Sequence, residues 1–468
     1  MPPTYESNGL NVEAITWALK ALRLKTRQYK RARDYYKGKH PLSFVTAKFR
    51  AAFADALCGM KANLMPPFVD IPANRLGVKA FAAKGAKLGA TDGERLALDA
   101  WDTWELNRMD VRAFDVMHEA LLCGDSYVIV WPDEEITPGE MTPILYPHDA
   151  GTCAVEYHPE RPGYVIRGAK WWLENKRVRL TIYTANEVEK YISTGPATSL
   201  PSSAGAFQRF EIEGEEWPLE NPYDKCPVFH FRNGKEGKSQ LHDIEDGQNA
   251  LNLTLCNMLV AMEFFSFPQR YVLGFDPANS AAEGELTEWK SAMDRIWFHW
   301  DKETQMGQFD PSDPSAFLNV MREFRSLMNE IAGIPPHYFS MSGAPPSGVA
   351  LAILETRLND LIDRLKIAWG NVWADVMLFA AKVRGTLPDG VRMVADWKDG
   401  TPKDTKAEAE AASALQGAGV SRKGSLTRIG MTEAEYQKNE DERDAETAKA
   451  TPPVAAAPPA ASPPAATE

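Results

Sequence analysis

The sequence predicts an α+β protein in which helices come first and an antiparallel sheet second, followed by long rods. Three observations predict it. Apolar residues recur at helical steps up to about residue 122; short β-rich runs bounded by Gly, Pro, Asn and Asp begin at Gly124; a helical period returns at Leu241 in a clean heptad form. At 468 residues the chain is long enough for two or three compact regions.

Residues 13 to 36 carry Ile15, Leu19, Leu22 and Tyr29 on one helical face. The same stretch opens the one basic block of an otherwise acidic chain: from Lys20 to Arg50 the cations meet only Asp34. Such a block is either a solvated helix face or a surface that meets DNA or an acidic neighbouring subunit, through Lys25, Arg27, Lys30, Arg31 and Arg33. Residues 94 to 122 predict two further helices, with Leu96, Leu98, Trp101 and Trp104, then Val111, Phe114, Met117 and Leu121, as core positions.

Strands are predicted at Tyr127–Trp131, Cys153–Tyr157, Tyr164–Arg167, Val178–Tyr183 and Val228–Phe231, spaced as antiparallel neighbours. From Leu241 the seam Leu241, Ile244, Gln248, Leu251, Leu255, Met258, Met262 and Phe265 alternates steps of three and four, which is a period of 3.5 with one polar member. A second rod carries Phe317, Val320, Phe324, Leu327 and Ile331. Between the rods lies an acidic insert with Trp289, Trp297, Trp300, Asp301 and Glu303. It is either a docking module or an ordinary small lobe with internal tryptophans.

Residues 333–348 are punctuated by Pro335, Pro336, Gly343, Pro345, Pro346 and Gly348, so neither flanking helix continues through them. Ser347 is a helix N-cap, and beyond it Leu351, Leu354, Leu358, Leu361, Leu365, Ala368, Val372, Val376 and Phe379 mark a rod of about 50 Å at 1.5 Å per residue. Gly370 is the expected site of any bend. A strand is predicted at 393–398 and helices at 404–416 and 432–446. From 448 the chain turns to Ala and Pro and is predicted to be disordered.

The formal charge of −12 argues against a broad DNA-gripping face, though not against a bore through which DNA slides. No apolar stretch approaches membrane-spanning length and Met1–Leu10 lacks a signal pattern, so a soluble, unexported protein is expected, with no membrane partner. Cys58, Cys123, Cys153, Cys226 and Cys256 are scattered and read as reduced, mostly buried thiols. Gly85, Gly89 and Gly93 lack the Lys-Ser/Thr of a phosphate loop and are expected in a flexible loop. His148 with His158 sits among turn-forming prolines, Gly124-Asp125-Ser126 lacks the glycines of a nucleophile elbow, and Glu134-Glu135 lies in a turn-like segment. Neither catalysis, nor a metal, nor a cofactor is predicted.

The order of parts resembles that of tailed-phage portal proteins, the head-to-tail connectors of long-tailed phages. The similar passages are Gly124-Asp125-Ser126-Tyr127-Val128-Ile129-Val130, Pro143-Ile144-Leu145-Tyr146-Pro147, the helix from Leu241, and Ala332-Gly333-Ile334-Pro335 through Ser347-Gly348-Val349-Ala350-Leu351. The resemblance implies a wing over 1–238, stem helices over 239–266 and 314–332, and a clip over 267–313. It further implies a tunnel loop over 333–348, a long wing/tunnel helix over 349–385, a helical crown over 386–447 and a tail over 448–468. It implies a homo-oligomeric ring, typically of twelve, at one capsid vertex of the virion, assembled in the host cytoplasm. Double-stranded DNA would pass through it in packaging and ejection. A packaging motor (the large terminase), a head-tail adaptor, and capsid and scaffold proteins would dock on it, the clip through Trp289, Trp297, Trp300, Asp301 and Glu303.

In that arrangement Leu241, Ile244, Leu251, Leu255, Met258, Met262, Phe317, Phe324 and Leu327, with Leu351, Leu354, Leu358, Leu361 and Leu365, are expected to pack the ring, since three heptad stripes outnumber the partners a slim monomer offers. Pro335, Pro336, His337, Tyr338, Phe339, Ser340, Met341, Ser342, Gly343, Pro345 and Pro346 would form the loop facing DNA. That loop has no Lys or Arg, which suits a surface that must release each phosphate it meets. A different class stays open from the residues alone: a non-enzymatic intracellular helical scaffold with an acidic protein-docking lobe.

Overall fold

The computed structural model describes residues 10–41, 61–85, 89–133, 141–212, 214, 216–266, 270–273, 305–308, 314–339, 347–398 and 405–428, with 436, 439–440 and 442–443. They belong to two compact units, Met1–Gly400 and Thr401–Glu468.

In the first unit α1 (Val12–Leu24) starts at Asn11, whose side chain accepts the amide of Ala14 and so satisfies one orphan donor. Ile15, Leu19 and Leu22 are buried on its inner face, as their spacing predicts. The helix breaks at Lys25 and restarts as α2 (Thr26–Tyr36), so the single helix expected over 13–36 is two. α3 (Pro67–Asn74), β1 (Val78–Lys84), α4 (Ala90–Leu106) and α5 (Met109–Cys123) follow. Trp104 is buried and stacks with Trp101 at 6.2 Å, but Leu98 and Val111, expected in the core, face solvent. Spacing alone does not say which of two apolar flanks a helix buries. Gly93, expected in a loop, lies inside α4.

The strands are β2 (Asp125–Asp133), β3 (Thr142–Asp149), β4 (Cys153–Tyr157), β5 (Val165–Glu174), β6 (Arg177–Thr184), β7 (Glu187–Ser193), β8 (Phe207–Arg209), β9 (Leu219–Glu220) and β10 (Val228–Arg232). They form a three-stranded sheet in the order β10-β2-β3 and a six-stranded sheet in the order β4-β5-β6-β7-β8 with β9 on β7, antiparallel throughout. Ile15 and Leu19 of α1 pack on Leu180, Ile182 and Tyr191, covering one face of the larger sheet. The sheets meet through Tyr127, Ile129 and Val228 against Cys153. Gly168 permits this contact, because a Cβ there would lie 2.5 Å from Cγ2 of Val228.

Next come α6 (Glu245–Ser266), the antiparallel pair β11 (Arg270–Leu273) and β12 (Gln305–Gln308), α7 (Ser315–Ala332), α8 (Gly348–Arg384) and β13 (Arg392–Trp397). β13, in the stretch expected as crown, pairs antiparallel with β1 and belongs to the first unit. α8 runs 37 residues and supplies a flank of the main core. Its buried seam is Leu358, Ile362, Leu365, Trp369, Trp373, Val376 and Ala380, so Leu361 and Val372 lie beside the seam rather than in it and Ala368 is exposed. The two tryptophans decide the register. Trp373 meets Phe231 at 4.5 Å and Trp104 at 4.9 Å, and Trp369 donates its indole N–H to the carbonyl of Arg232 at 3.1 Å. The helix continues through Gly370, which is small for Trp397: a Cβ there would meet the indole nitrogen at 3.0 Å.

In the second unit α9 (Thr405–Gly417) and α10 (Arg422–Arg428) bury Ala412 and Ser425, whose hydroxyl donates to the Ser421 carbonyl at 2.8 Å. The helix expected over 432–446 falls largely outside the described residues.

Candidate functional site

The loop expected to face DNA is fixed at both ends. α7 stops at Gly333, whose φ of 70° is the left-handed conformation a glycine enters without strain, and the amide of Ile334 closes the turn on the carbonyl of Asn329 at 3.0 Å. Ile334 and Pro335 are buried, and Pro336–Tyr338 form one 3₁₀ turn. Phe339 packs on Phe68 of α3 at 4.8 Å. The Tyr338 hydroxyl donates to Glu355 at 2.9 Å and accepts from Arg75, which also pairs with Glu355 at 3.1 Å and donates to Asn359 at 2.9 Å. His337 Nε2 stands 3.5 Å from the same carboxylate.

A buried cation, a buried carboxylate and a tyrosine thus tie the loop's first half to α8 and to the end of α3. At the far end Ser347 accepts the Ala350 amide, as its position predicts. Ser340, Met341, Ser342, Gly343, Pro345 and Pro346 lie outside the described residues, as do Trp289, Trp297, Trp300, Asp301 and Glu303. Nothing in the sequence pattern pointed to Arg75, Glu355 or Asn359. A charged residue on the apolar flank of a helix, such as Glu355 between Leu351 and Leu358, was the available signal.

The stem seam splits into two parts. Leu241, Ile244, Leu251 and Leu255 are buried by their own chain, as are Leu358 and Leu365 of α8, so the expectation that they pack a neighbouring subunit is corrected. Their partners come from distant sequence: α7, and residues 62–64 lying along α6. Gln248, the polar member of the seam, donates to the carbonyl of Ala62 at 2.7 Å and accepts the amide of Leu64 at 3.0 Å, and Asn252 accepts the amide of Ala62 at 3.0 Å. Gly247 lets α7 approach, since a Cβ there would sit 2.7 Å from Cγ of the buried Met328.

Farther along, the seam is about half exposed. Met262 is 48% exposed, and on α7 Val320, Leu327 and Ile331 are 45%, 49% and 46% exposed. Phe317 and Phe324 are half-buried together with Met321, one flank round from those three. Leu351 and Leu361 are half-buried and Leu354 is exposed.

The basic block is largely satisfied within the chain. Lys25 pairs with Asp125 at 2.7 Å, Arg31 with Glu245 at 2.5 Å and Arg33 with Glu119, which leaves Arg27 and Lys30 pointing outward. Asp125 is 1% exposed and also accepts from Tyr29 at 2.7 Å and from His230 at 2.9 Å, while His230 meets the Tyr157 hydroxyl at 2.8 Å through its other nitrogen. Burial pushes the Asp125 carboxyl up, but His230 and Lys25 outweigh it and hold it below the usual carboxylate range. The Lys25 ammonium also donates to the carbonyl of Glu236 at 2.8 Å, in the turn that leads to the stem. Gly124 has φ 95°, and a Cβ on it would strike the Gly237 carbonyl at 2.3 Å. The Gly-Asp-Ser passage is therefore a structural clamp joining α1–α2, β2 and the start of the stem.

Cys123, Cys153, Cys226 and Cys256 are buried. Among the described residues no group of three or more His, Cys, Asp or Glu is placed to hold a metal, and no helix is long and apolar enough to cross a membrane.

The described part of the loop between the two rods has its ionisable groups spent on internal pairing. The chain matches the family described as "Phage portal protein, SPP1 Gp6-like" over residues 19–449, and it belongs to that family. It is 26% identical over 373 residues to the portal protein of Mycobacterium phage D29, covering 75% of this chain and 72% of that one. With the portal protein of Mycobacterium phage L5 the figures are 25% over 370 residues, 75% and 71%. Among solved structures, the neck of an empty gene transfer agent (GTA) particle aligns with a TM-score of 0.42 at 12% identity, covering 82% of this chain and 93% of that one. The neck of a native GTA particle computed with C12 symmetry gives 0.39 at 13%. The protein is a structural, non-enzymatic portal component of the phage virion, at the capsid vertex. Family membership sets aside the intracellular-scaffold alternative.

Proposed function

We propose that this chain is the repeating subunit of a closed homo-oligomeric portal ring, of about twelve copies, through which double-stranded DNA enters during packaging and leaves during ejection. The observation that carries the reading is the exposed stripe of Val320, Leu327 and Ile331 on α7, apolar surface on a rod whose inner seam is already filled. A head-to-tail neighbour covers such a stripe in every copy at once. Residues 333–348 form the loop toward the lumen, its first half held by Arg75, Tyr338 and Glu355.

The acidic insert over 267–313 docks the packaging motor and later the head-tail adaptor, through Trp289, Trp297, Trp300, Asp301 and Glu303. With β13 paired to β1 in the first unit, residues 401–447 form the crown toward the capsid interior, where capsid and scaffold proteins meet the ring during assembly in the host cytoplasm. Arg27 and Lys30 remain available to a neighbour or to DNA.

Light scattering of the purified full chain, joined to electron microscopy of the particle, tests the ring. The expected result is a species many times the 52.0 kDa of one chain, or a circular vertex assembly where the free chain is monomeric. A monomer with no circular assembly in any particle sinks the reading.

A further inference from the structure

The six-stranded sheet has two unlike faces. One is filled by α1. On the other, the register aligns Trp172, Arg179 and Ile192 in one cross-strand row and Lys170, Thr181 and Lys190 in the next. The smaller sheet covers the end of this face near β4 and leaves the end near β8 open.

There a cavity of about 270 Å³ is walled by Trp131, Trp172, Tyr183 and Phe210, with Arg179 and Lys190 among its lining residues. It holds many times the space one water needs. Arg179 is anchored at one edge: its Nε donates to Glu174 at 2.5 Å and its guanidinium carbon lies 3.1 Å from the centre of the Phe210 ring. Its Nη1 is buried and has no acceptor among the described residues. A buried guanidinium N–H left without a partner is unfavourable, so the cavity has aromatic walls and one unmet demand for an oxygen anion.

We propose that this cavity is a docking site for an acidic-aromatic protein segment, one that presents a carboxylate beside an apolar side chain. The buried Arg179 N–H picks out that occupant: Arg179 and Lys190 are the cations lining the cavity, and the acids Glu211 and Glu216 of the same chain border its Ile212 mouth without reaching that N–H. The carboxylate accepts from Arg179 Nη1, completing a fork whose other edge is held by Glu174. The apolar side chain fills the space between the indole and phenol rings. Membership of a virion component family makes the occupant a segment of another protein rather than a metabolite.

The test uses ¹⁹F NMR on the full chain with 4-fluorophenylacetate, which carries a ring and a carboxylate, against the neutral 4-fluorophenylacetamide. The acid's resonance should broaden and the amide's should not, with about tenfold weaker binding for the amide and for Arg179→Met. The blocked peptide acetyl-Phe-Asp-amide should displace the acid. Ile212 lines the cavity and is 39% exposed, so Ile212→Asp puts a like charge at the mouth without disturbing the core and should abolish binding even where Arg179→Met folds poorly. Equal binding of acid and amide, retention of binding by Ile212→Asp, or failure of the peptide to compete would each overturn the proposal.

Discussion

The wing clamp around Asp125 and the stem around Leu327 spend their residues in opposite ways. At the clamp every charge has a partner from the same chain: Lys25, Tyr29 and His230 converge on one carboxylate that solvent barely touches. On the stem the inner seam is equally complete, yet a second apolar stripe on α7 stays about half exposed. A region with all its groups satisfied can fold alone, whereas a rod with surplus apolar surface is completed by a neighbour. The heptad pattern therefore mixes two populations, residues buried within the subunit and exposed residues that the proposed ring would cover. Burial separates them where spacing does not.

The largest effect should come from crossing that line deliberately. Leu358 is fully buried in the main core, so Leu358→Asp puts an unpaired charge among Ile362, Leu365 and Met328. Its cost should exceed about 4 kcal/mol, and the expected outcome is insoluble or unfolded chain by circular dichroism. Leu327→Asp changes only exposed stem surface. It should leave the melting temperature within a few degrees of wild type while abolishing rings in electron micrographs. Should Leu327→Asp assemble normally, the division between the two populations is wrong.

The clamp ranks next. Asp125→Ala leaves the Lys25 ammonium and the Tyr29 hydroxyl without their acceptor, and breaking one member of such a buried set costs about 3–5 kcal/mol. Denaturant unfolding checks it. Replacing Glu174, an exposed partner of Arg179, should cost well under 1 kcal/mol by the same measurement.

How far the sequence carried is visible at particular residues. The strands were legible because β-rich runs alternate between turn residues, and β4 matches its expected bounds, Cys153–Tyr157. The start of α8 was legible because a serine before glycine caps a helix. The face of α8 was only partly legible, because leucines at 354 and 361 compete with Trp369 and Trp373 for the seam, and only the tertiary partners Trp104 and Phe231 decide it. The loop's anchor was not legible at all. Arg75 and Glu355 stand 280 positions apart, and an ion pair between them leaves no local period. The internal pairing of Lys25, Arg31 and Arg33 was not legible for the same reason: their carboxylate partners at 125, 245 and 119 belong to other elements.

Acid should separate the two regions again, more gently. Burial, with Lys170 and Arg112 nearby, pushes His148 down to about 3, and burial lowers His40 and His230 as well. Unfolded histidines take up protons near 6.5 while His148 stays neutral in the fold and His40 and His230 resist protonation, so the unfolded state binds more protons and stability falls as pH drops below about 6.5. For His148 the slope is about 1.4 kcal/mol per pH unit and continues toward pH 3, and Asp125 adds to the loss below the usual carboxylate range. Thermal melts between pH 7 and 5 should show it, and His148→Asn should flatten the slope. A melting temperature unchanged over that range would mean that the histidines are not held neutral.

The smallest predicted effect tests why α8 carries a glycine at all. If Gly370 served to bend the rod, Gly370→Ala would straighten it and disturb both ends. If it is small only because Trp397 lies across it, the added methyl meets one indole edge at 3.0 Å, and a shift of a few tenths of an ångström at the end of β13 absorbs it. Alanine also favours the helix by about 1 kcal/mol over glycine, so the two terms nearly cancel. The expected result is a melting temperature within about 2–4 °C of wild type, with Trp397 fluorescence altered and assembly intact. Loss of rings in this variant, with the fold preserved, would place a bend at Gly370 after all and make the middle of α8 part of the assembling surface.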